Sequence, residues 1–218
     1  MALSSKTLPH IAIFGGSFDP VHNGHLRMAT EVAEQLGCDE VKLIPAGVPP
    51  HREANQVAGR HRLAMLTLAV DGEAILSVDD CELKRQGLSY SIDTVINMRK
   101  LLGADVALSL CMGIDAFNQL HAWRRWQELT DYVHVIVMTR PGFYLPNAGE
   151  VFNWWHERIA HDADELLQQS KGRVMSVELT PLSISSSDLR QRISEHKSVR
   201  YLLPKAVQKY IEQHQLYS

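Results

Sequence analysis

The stretch 11–37 constrains the fold more than any other part of the chain. Residues 11–14 form a short apolar run typical of a buried strand, and Gly15 and Gly16 follow it directly. Glycines at that point supply positive φ or let another group approach the backbone closely. Apolar residues then recur at helical spacing until Gly37: Leu26, Ala29, Val32, Ala33 and Leu36. A strand, a glycine turn and a helix N-terminus form a cradle of N–H groups suited to phosphate.

The alternation of strand and helix continues along the chain. Strand-like runs lie at 41–44, 74–78, 106–112, 133–138 and 174–179. Helical patterns lie at 63–70, 92–102, 154–167, 186–194 and 204–214, and the one at 154–167 has the mixed charge of an exposed helix. This order predicts an α/β, Rossmann-like parallel sheet with helices on both faces, short C-terminal helices, and ligands at the carboxyl ends of the strands. We expect one domain over 1–218, with 1–9 as a flexible extension.

Composition narrows the class of protein. A hydrophobic content of 45% suffices for a sizeable core, and a net charge of −3 gives no basic field that would favour nucleic acid as partner. Three widely spaced cysteines favour a reducing compartment without disulfides or structural zinc. The first ten residues lack the apolar core of a signal peptide, and no run reaches the ~20 residues of a membrane span. We therefore expect a cytoplasmic protein without a membrane partner.

The segment His-Asn-Gly-His at 22–25 permits three interpretations. Two histidines three residues apart could bind a metal, although no third ligand of suitable spacing accompanies them. They could also be incidental polar residues at a helix start. Phosphate binding is the interpretation that explains the glycines, the preceding strand and the following helix together. On that interpretation Gly24 lets a phosphate approach without a Cβ in the way.

A second polar element lies at 181–190. Ser185 or Ser186 can cap a helix there, and Asp188 suits its first turn, so a well-capped helix with an exposed arginine is one interpretation. The other is a second anion-binding surface made of several hydroxyls and Arg190.

The run 15–25, Gly-Gly-Ser-Phe-Asp-Pro-Val-His-Asn-Gly-His, resembles the signature of the nucleotidyltransferase superfamily with a His-x-Gly-His element. The run 184–190, Ile-Ser-Ser-Ser-Asp-Leu-Arg, resembles its second signature, with Ser187 for threonine and Leu189 for isoleucine. Within that superfamily the chain resembles the bacterial nicotinate-mononucleotide adenylyltransferases.

The resemblance implies a nucleotidyltransferase-type fold in which both signatures hold the triphosphate of ATP. It implies catalytic roles for His22, His25 and Arg190. Gly113 and Asp115 by themselves indicate a turn and an N-cap, but by resemblance they line the adenosine pocket. The implied ATP-binding residues are Gly15, Gly16, Ser17, Phe18, Gly24, Gly113, Asp115, Ile184, Ser185 and Ser186.

Other segments bear on the acceptor substrate. Leu-Ser-Tyr-Ser-Ile-Asp-Thr at 88–94 resembles a family segment whose helix-start N–H groups could receive the nicotinate carboxylate. Trp123 matches the tryptophan on which the pyridine ring would stack, with ordinary core packing as the alternative, whereas Trp126 is expected in the core. Arg52, in the loop Pro-Pro-His-Arg, is a candidate for the mononucleotide phosphate or a solvated cation. The implied mononucleotide-binding residues are Arg52, Tyr90, Ser91, Trp123, Arg124 and Arg140.

The resemblance implies adenylyl transfer from ATP to nicotinate mononucleotide, giving deamido-NAD and pyrophosphate in NAD biosynthesis. Mg²⁺ would come with ATP, held by phosphate oxygens and water rather than by a protein metal site. A homo-oligomer is possible. The alternatives are an enzyme for nicotinamide mononucleotide, phosphopantetheine or a cytidylyl acceptor, and a regulatory nucleotide-binding module without turnover.

Overall fold

A computed structural model describes residues 8–48, 57–140 and 142–218, and these form a parallel sheet covered by helices on both faces. The strands are β1 His10–Gly16, β2 Glu40–Pro45, β3 Leu76–Val78, β4 Ala107–Gly113, β5 His134–Thr139 and β6 Val174–Glu178. Their order in the sheet is β3-β2-β1-β4-β5-β6. The chain reverses direction across the sheet between β1 and β4, where such folds bind ligands. The predicted fold class is confirmed.

The helices are α1 Asn23–Leu36, α2 Gly59–Ala69, α3 Cys81–Lys84, α4 Ser91–Leu102, α5 Ile114–Asn118, α6 Glu150–His156, α7 Ala163–Leu167, α8 Ser186–Ser194 and α9 Lys205–Gln213. Short 3₁₀ segments lie at Leu120–Ala122 and Trp126–Asp131. Gly37 ends α1 in the left-handed conformation, and Gly103 follows α4 with φ +80°. Both predicted helix stops are therefore confirmed.

The two faces of the sheet carry separate apolar clusters. Alternation along β1 places Ala12 and Phe14 on the face covered by α1, α2, α8 and α9, whereas Ile13 lies on the face covered by α4. Each cluster continues onto the neighbouring strands, so one sheet supports both cores.

The predicted exposed helix over 154–167 is wrong. Helix α6 ends at His156 and α7 begins at Ala163, and the residues between them run along β6. The N–H of Val174 donates to the carbonyl of Arg158 (2.8 Å), and the N–H of Ala160 donates to the carbonyl of Val174 (2.8 Å). Pairing with the edge strand satisfies backbone groups that a helix would otherwise have used.

Two smaller expectations also change. Leu8 and Pro9, assigned to a flexible extension, are bonded: Leu8 N–H donates to Leu167 O (3.1 Å), and Pro9 O accepts from Ala107 N–H (2.8 Å). Helix α2 begins at Gly59, four residues before the pattern predicted over 63–70, and its buried residues include Arg62 as well as Met65 and Leu66. The predicted loop at 49–52 lies outside the described residues.

Candidate active site

The site lies at the carboxyl ends of β1 and β4, where Gly15 and Gly113 face open space. A Cβ built on either glycine would meet no atom within 4 Å among the described residues, and both glycines line a cavity. Neither Gly15 nor Gly16 has positive φ. Positive φ, the first reason predicted for these glycines, is therefore not found. The open space at Gly15 leaves room for the second, a close approach of another group to the backbone.

His22 and His25 cap helix α1 reciprocally. His22 Nδ1 accepts from the N–H of His25 (3.3 Å), and His25 Nδ1 accepts from the N–H of His22 (3.3 Å). The two imidazoles stack, with centroids 3.6 Å apart. Because both Nδ1 atoms act as acceptors, each neutral ring carries its proton on Nε2. The capping arrangement therefore produces two adjacent Nε2–H donors.

Both imidazoles are held in the neutral form. Burial lowers the pKa of His22 to about 4. The pKa of His25 is held well below its usual range, mainly by burial and to a smaller extent by electrostatic repulsion from His22. At neutral pH the pair therefore donates hydrogen bonds without carrying charge.

Two tight contacts shape the loop 17–20 before α1. Phe18 has φ +48° and is fully buried, with its ring against Gly16, where a Cβ would lie 3.1 Å from the ring. A Cβ on Gly24 would lie 3.0 Å from His22 Nδ1 and 3.1 Å from His22 Cε1. The absence of a side chain at Gly24 thus makes room for the His22 imidazole, a reason different from the phosphate approach expected from the sequence.

Side chains from distant segments hold the same loop. Arg62 Nη1 donates to Ser17 O (2.8 Å), and Arg190 Nη1 donates to Asp19 O (2.8 Å). Ser186 Oγ donates to Pro20 O (3.0 Å). The loop backbone is consequently fixed by two cations and a hydroxyl.

These contacts bring the two sequence motifs together. Ser185 caps α8 by accepting from the N–H of Asp188 (3.1 Å), as predicted for one of the two serines. The Cβ of Ile184 lies 3.7 Å from a Cβ built on Gly24. The start of α8 therefore lies against the start of α1, and Arg190 joins them through Asp19.

A cavity of about 230 Å³ extends from this edge of the sheet toward the start of α4. Tyr90, Ser91, Trp123 and Arg124, all predicted to contact the mononucleotide, line it. The Arg124 guanidinium lies 4.7 Å from the centroid of the Tyr90 ring. The structure thus gathers aromatic faces, a cation and a helix N-terminus around one cavity.

Other predicted residues lie outside the cavity. Asp115 and Arg140 form an exposed ion pair (3.2 Å), and neither lines the cavity. Arg52 lies outside the described residues. Trp126 is buried against Trp154, with ring centroids 5.4 Å apart, so its predicted place in the core is confirmed.

Some residues at the site escaped the sequence reasoning. Glu82 is buried at the cavity wall, where it accepts from Thr94 Oγ1 (2.7 Å). Ser89 Oγ, also at the wall, has no hydrogen-bond partner within the described part of the chain. The sequence could have predicted that Arg62 faces the protein interior, because it lies three and four residues before the buried Met65 and Leu66 on the same helix. Glu82 had no such pattern.

No cluster of three or more histidine, cysteine or acidic side chains suited to a metal ion occurs within 8–48, 57–140 and 142–218. All three cysteines are unpaired thiols. Among the helices described, none is long and apolar enough to span a membrane.

The model of the Cytidylyltransferase-like family matches residues 13–192 of this chain. A solved structure, "Plasmodium falciparum nicotinic acid mononucleotide adenylyltransferase complexed with NaAD", has the same fold at a TM-score of 0.72 and 17% identity. The match covers 96% of this chain and 97% of that chain. Fold and site together therefore define a cytidylyltransferase-like protein.

Two curated relatives narrow the class. Both are named "Probable nicotinate-nucleotide adenylyltransferase". The Hahella chejuensis protein is 43% identical over 95% of this chain and 95% of its own length. The Pseudomonas putida protein is 45% identical over 98% of this chain and 97% of its own length. The chain belongs to the nicotinate-nucleotide adenylyltransferase family.

Proposed function

We infer that this protein transfers the adenylyl group of ATP to nicotinate mononucleotide, giving deamido-NAD and pyrophosphate in NAD biosynthesis. One observation carries the inference: Gly15 and Gly113 line the same cavity as Tyr90 and Trp123, beside the loop that leads to His22 and His25. A nucleotide held at the histidines and a pyridine ring held in the cavity would then meet at the switch point of the sheet.

The chemistry demands positioning more than proton transfer. An oxygen of the mononucleotide phosphate attacks the α-phosphorus of ATP, the bond to the bridging oxygen breaks, and pyrophosphate leaves. Because the attacking oxygen is already anionic, no strong base is needed. We assign the Nε2–H groups of His22 and His25 to the phosphate oxygens that gain charge in the transition state. Since both pKa values are lowered, these donors stay protonated on Nε2 alone at neutral pH.

Arg190 and the start of α8 are proposed to face the β- and γ-phosphates. Arg190 touches the loop through Nη1, and its Nε has no partner in the described residues. Ser185 adds a hydroxyl at the helix N-terminus, where the dipole favours anions, and Ser186 lies beside it with its hydroxyl on Pro20 O. The remaining ATP-contact assignments, Gly16, Ser17, Phe18, Gly24, Gly113, Asp115 and Ile184, follow the family resemblance; the buried Phe18 ring leaves its backbone for that role.

The cavity is proposed to hold the nicotinate ring. Trp123 offers a face for the electron-poor pyridine ring. Ser91 begins α4, where backbone N–H groups can bind the carboxylate, and the unpartnered Ser89 hydroxyl adds a donor beside it. Arg124 supports the Tyr90 ring from the rim. Arg52 remains a proposal for the mononucleotide phosphate, and Arg140 remains a proposal for binding the mononucleotide.

ATP is proposed to enter as its Mg²⁺ complex. Phosphate oxygens of ATP and water molecules would hold the cation. The cation would neutralise triphosphate charge. We further propose one domain over the chain, small-molecule substrates without nucleic acid or membrane partners, and a cytoplasmic location, which the three thiols suit.

The test is pyrophosphate release from ATP and Mg²⁺ with nicotinate mononucleotide, nicotinamide mononucleotide or phosphopantetheine as acceptor. We expect turnover that strongly favours nicotinate mononucleotide. Equal use of acid and amide would keep the transferase and refute the carboxylate site near Ser91. No turnover with any acceptor, together with nucleotide binding by calorimetry, would refute the enzyme and favour a regulatory module.

A further inference from the structure

Tyr217, after helix α9, reaches back to the loop that precedes α1. Its hydroxyl donates to Asp19 Oδ1 at 2.5 Å, although 198 residues separate the two. The side chain packs on the apolar cluster that covers β1. Gln215 and Tyr217 both have positive φ, +49° and +64°, so the backbone adopts an unfavoured conformation twice where it returns to the loop.

The partner of Tyr217 is a buried carboxylate in a charged setting. Asp19 is 2% exposed, and Arg62 is 3% exposed. Arg62 and Arg190 donate to the carbonyls of Ser17 and Asp19, on either side of Phe18 with its φ of +48°. A buried carboxylate depends on its hydrogen bonds, because it is cut off from water.

The opposite end of the loop is held by the segment just before α9. The Asn23 side chain donates to Tyr201 O (2.7 Å), and Asn23 N–H donates to Leu202 O (3.0 Å). Asn23 lies between His22 and Gly24, at the first residue of α1. Residues 201, 202 and 217 therefore hold the phosphate loop by hydrogen bonds at both Asp19 and Asn23.

We propose that Tyr217 is a positioning residue for adenylyl transfer, acting through Asp19 to fix the loop that presents His22 and His25 to ATP. The proposal rests on the proposed function. Tyr217 does not line the cavity assigned to nicotinate, and neither does Asp19. Loss of the hydroxyl should therefore affect the use of ATP and leave the binding of the mononucleotide unchanged.

The experiment compares Tyr217→Phe with Tyr210→Phe, a matched control on α9 whose hydroxyl lies 3.0 Å from His61 Nδ1 instead of contacting Asp19. Each variant is assayed with varied ATP and varied nicotinate mononucleotide below its melting temperature. Because Tyr217→Phe removes a hydrogen bond to a charged group, we expect it to lower kcat roughly 10-fold and to leave the KM for the mononucleotide unchanged. Tyr210→Phe should keep wild-type kcat.

Hydrogen exchange supplies a readout of the loop itself. The backbone amides of residues 17–19, 21 and 22 should exchange faster in Tyr217→Phe and in Asp19→Asn, but not in Tyr210→Phe. Wild-type kcat in Tyr217→Phe, or equal losses in both tyrosine variants, would overturn the proposal. A parallel rise in the KM for the mononucleotide would do the same. Absence of turnover in the wild type would instead refute the proposed function.

Discussion

His22 combines two functions in one ring, and substitution can separate them. Nδ1 caps α1 by accepting from the N–H of His25 at 3.3 Å, while Nε2 carries the proton proposed for ATP. Asparagine is among the best N-cap residues, so His22→Asn should keep the cap and lose the reach of Nε2. His22→Ala removes both. We expect each variant to lose about 10²- to 10³-fold in kcat, the usual effect of deleting one preorganised donor.

The two variants should differ in stability. Loss of an N-cap costs about 1 kcal/mol. For a chain of this size that corresponds to a Tm about 2–4 °C lower for His22→Ala than for His22→Asn. Pyrophosphate release at saturating substrates measures kcat, and circular dichroism measures Tm. His121→Asn, at an exposed histidine outside the cavity, is the control. A His22→Asn variant that keeps kcat within about tenfold of wild type would refute the donor role, and equal Tm values would refute the cap.

Three further predictions follow from the same geometry. Gly24→Ala should lower kcat about 10-fold or more, because its Cβ would lie 3.0 Å from His22 Nδ1 and displace the ring; wild-type kinetics would contradict this. Trp123→Ala should raise the KM for nicotinate mononucleotide, because Trp123 lines the cavity. Trp126→Ala should lower the free energy of unfolding by about 3–5 kcal/mol, because Trp126 is buried. A higher KM in Trp126→Ala together with a less stable Trp123→Ala would reverse the two assignments. Burial lowers the pKa of His134 to about 4, so the unfolded chain takes up a proton first as pH falls below about 6.5. The contribution of His134 to stability should then be complete above that pH and decrease by up to about 3 kcal/mol toward pH 4, in addition to the losses from other buried histidines such as His22; urea unfolding should show a shallower loss in His134→Gln, and an unchanged slope would contradict the reasoning.

The local sequence alone was enough to predict the strand, glycine turn and helix that carry the site. The apolar run before Gly15 and the spacing that ends at Gly37 depend on contacts within a strand or a helix, so the first strand and α1 were placed within a few residues. The general alternation of strands and helices then predicted the parallel sheet. The two motifs, recognised as patterns of residue types, placed the histidines and Arg190 at helix starts.

Local pattern could not show where backbone groups find partners far along the chain. The helix predicted over 154–167 fails because Arg158 and Ala160 pair with Val174 in β6. This outcome depends on a strand fourteen or more residues further along the chain, which short-range spacing does not reveal.

The sequence by itself thus determined the order of elements, the glycine stops and the residue types of a phosphate-binding loop, because these depend on contacts within a few residues. Only the tertiary structure decided which distant side chains hold that loop. Arg62 reaches Ser17, and Tyr217 reaches Asp19, across 45 and 198 residues. Such pairs form when the sheet and its helices close around a common core, since chain folding rather than sequence spacing brings a buried carboxylate to its donor.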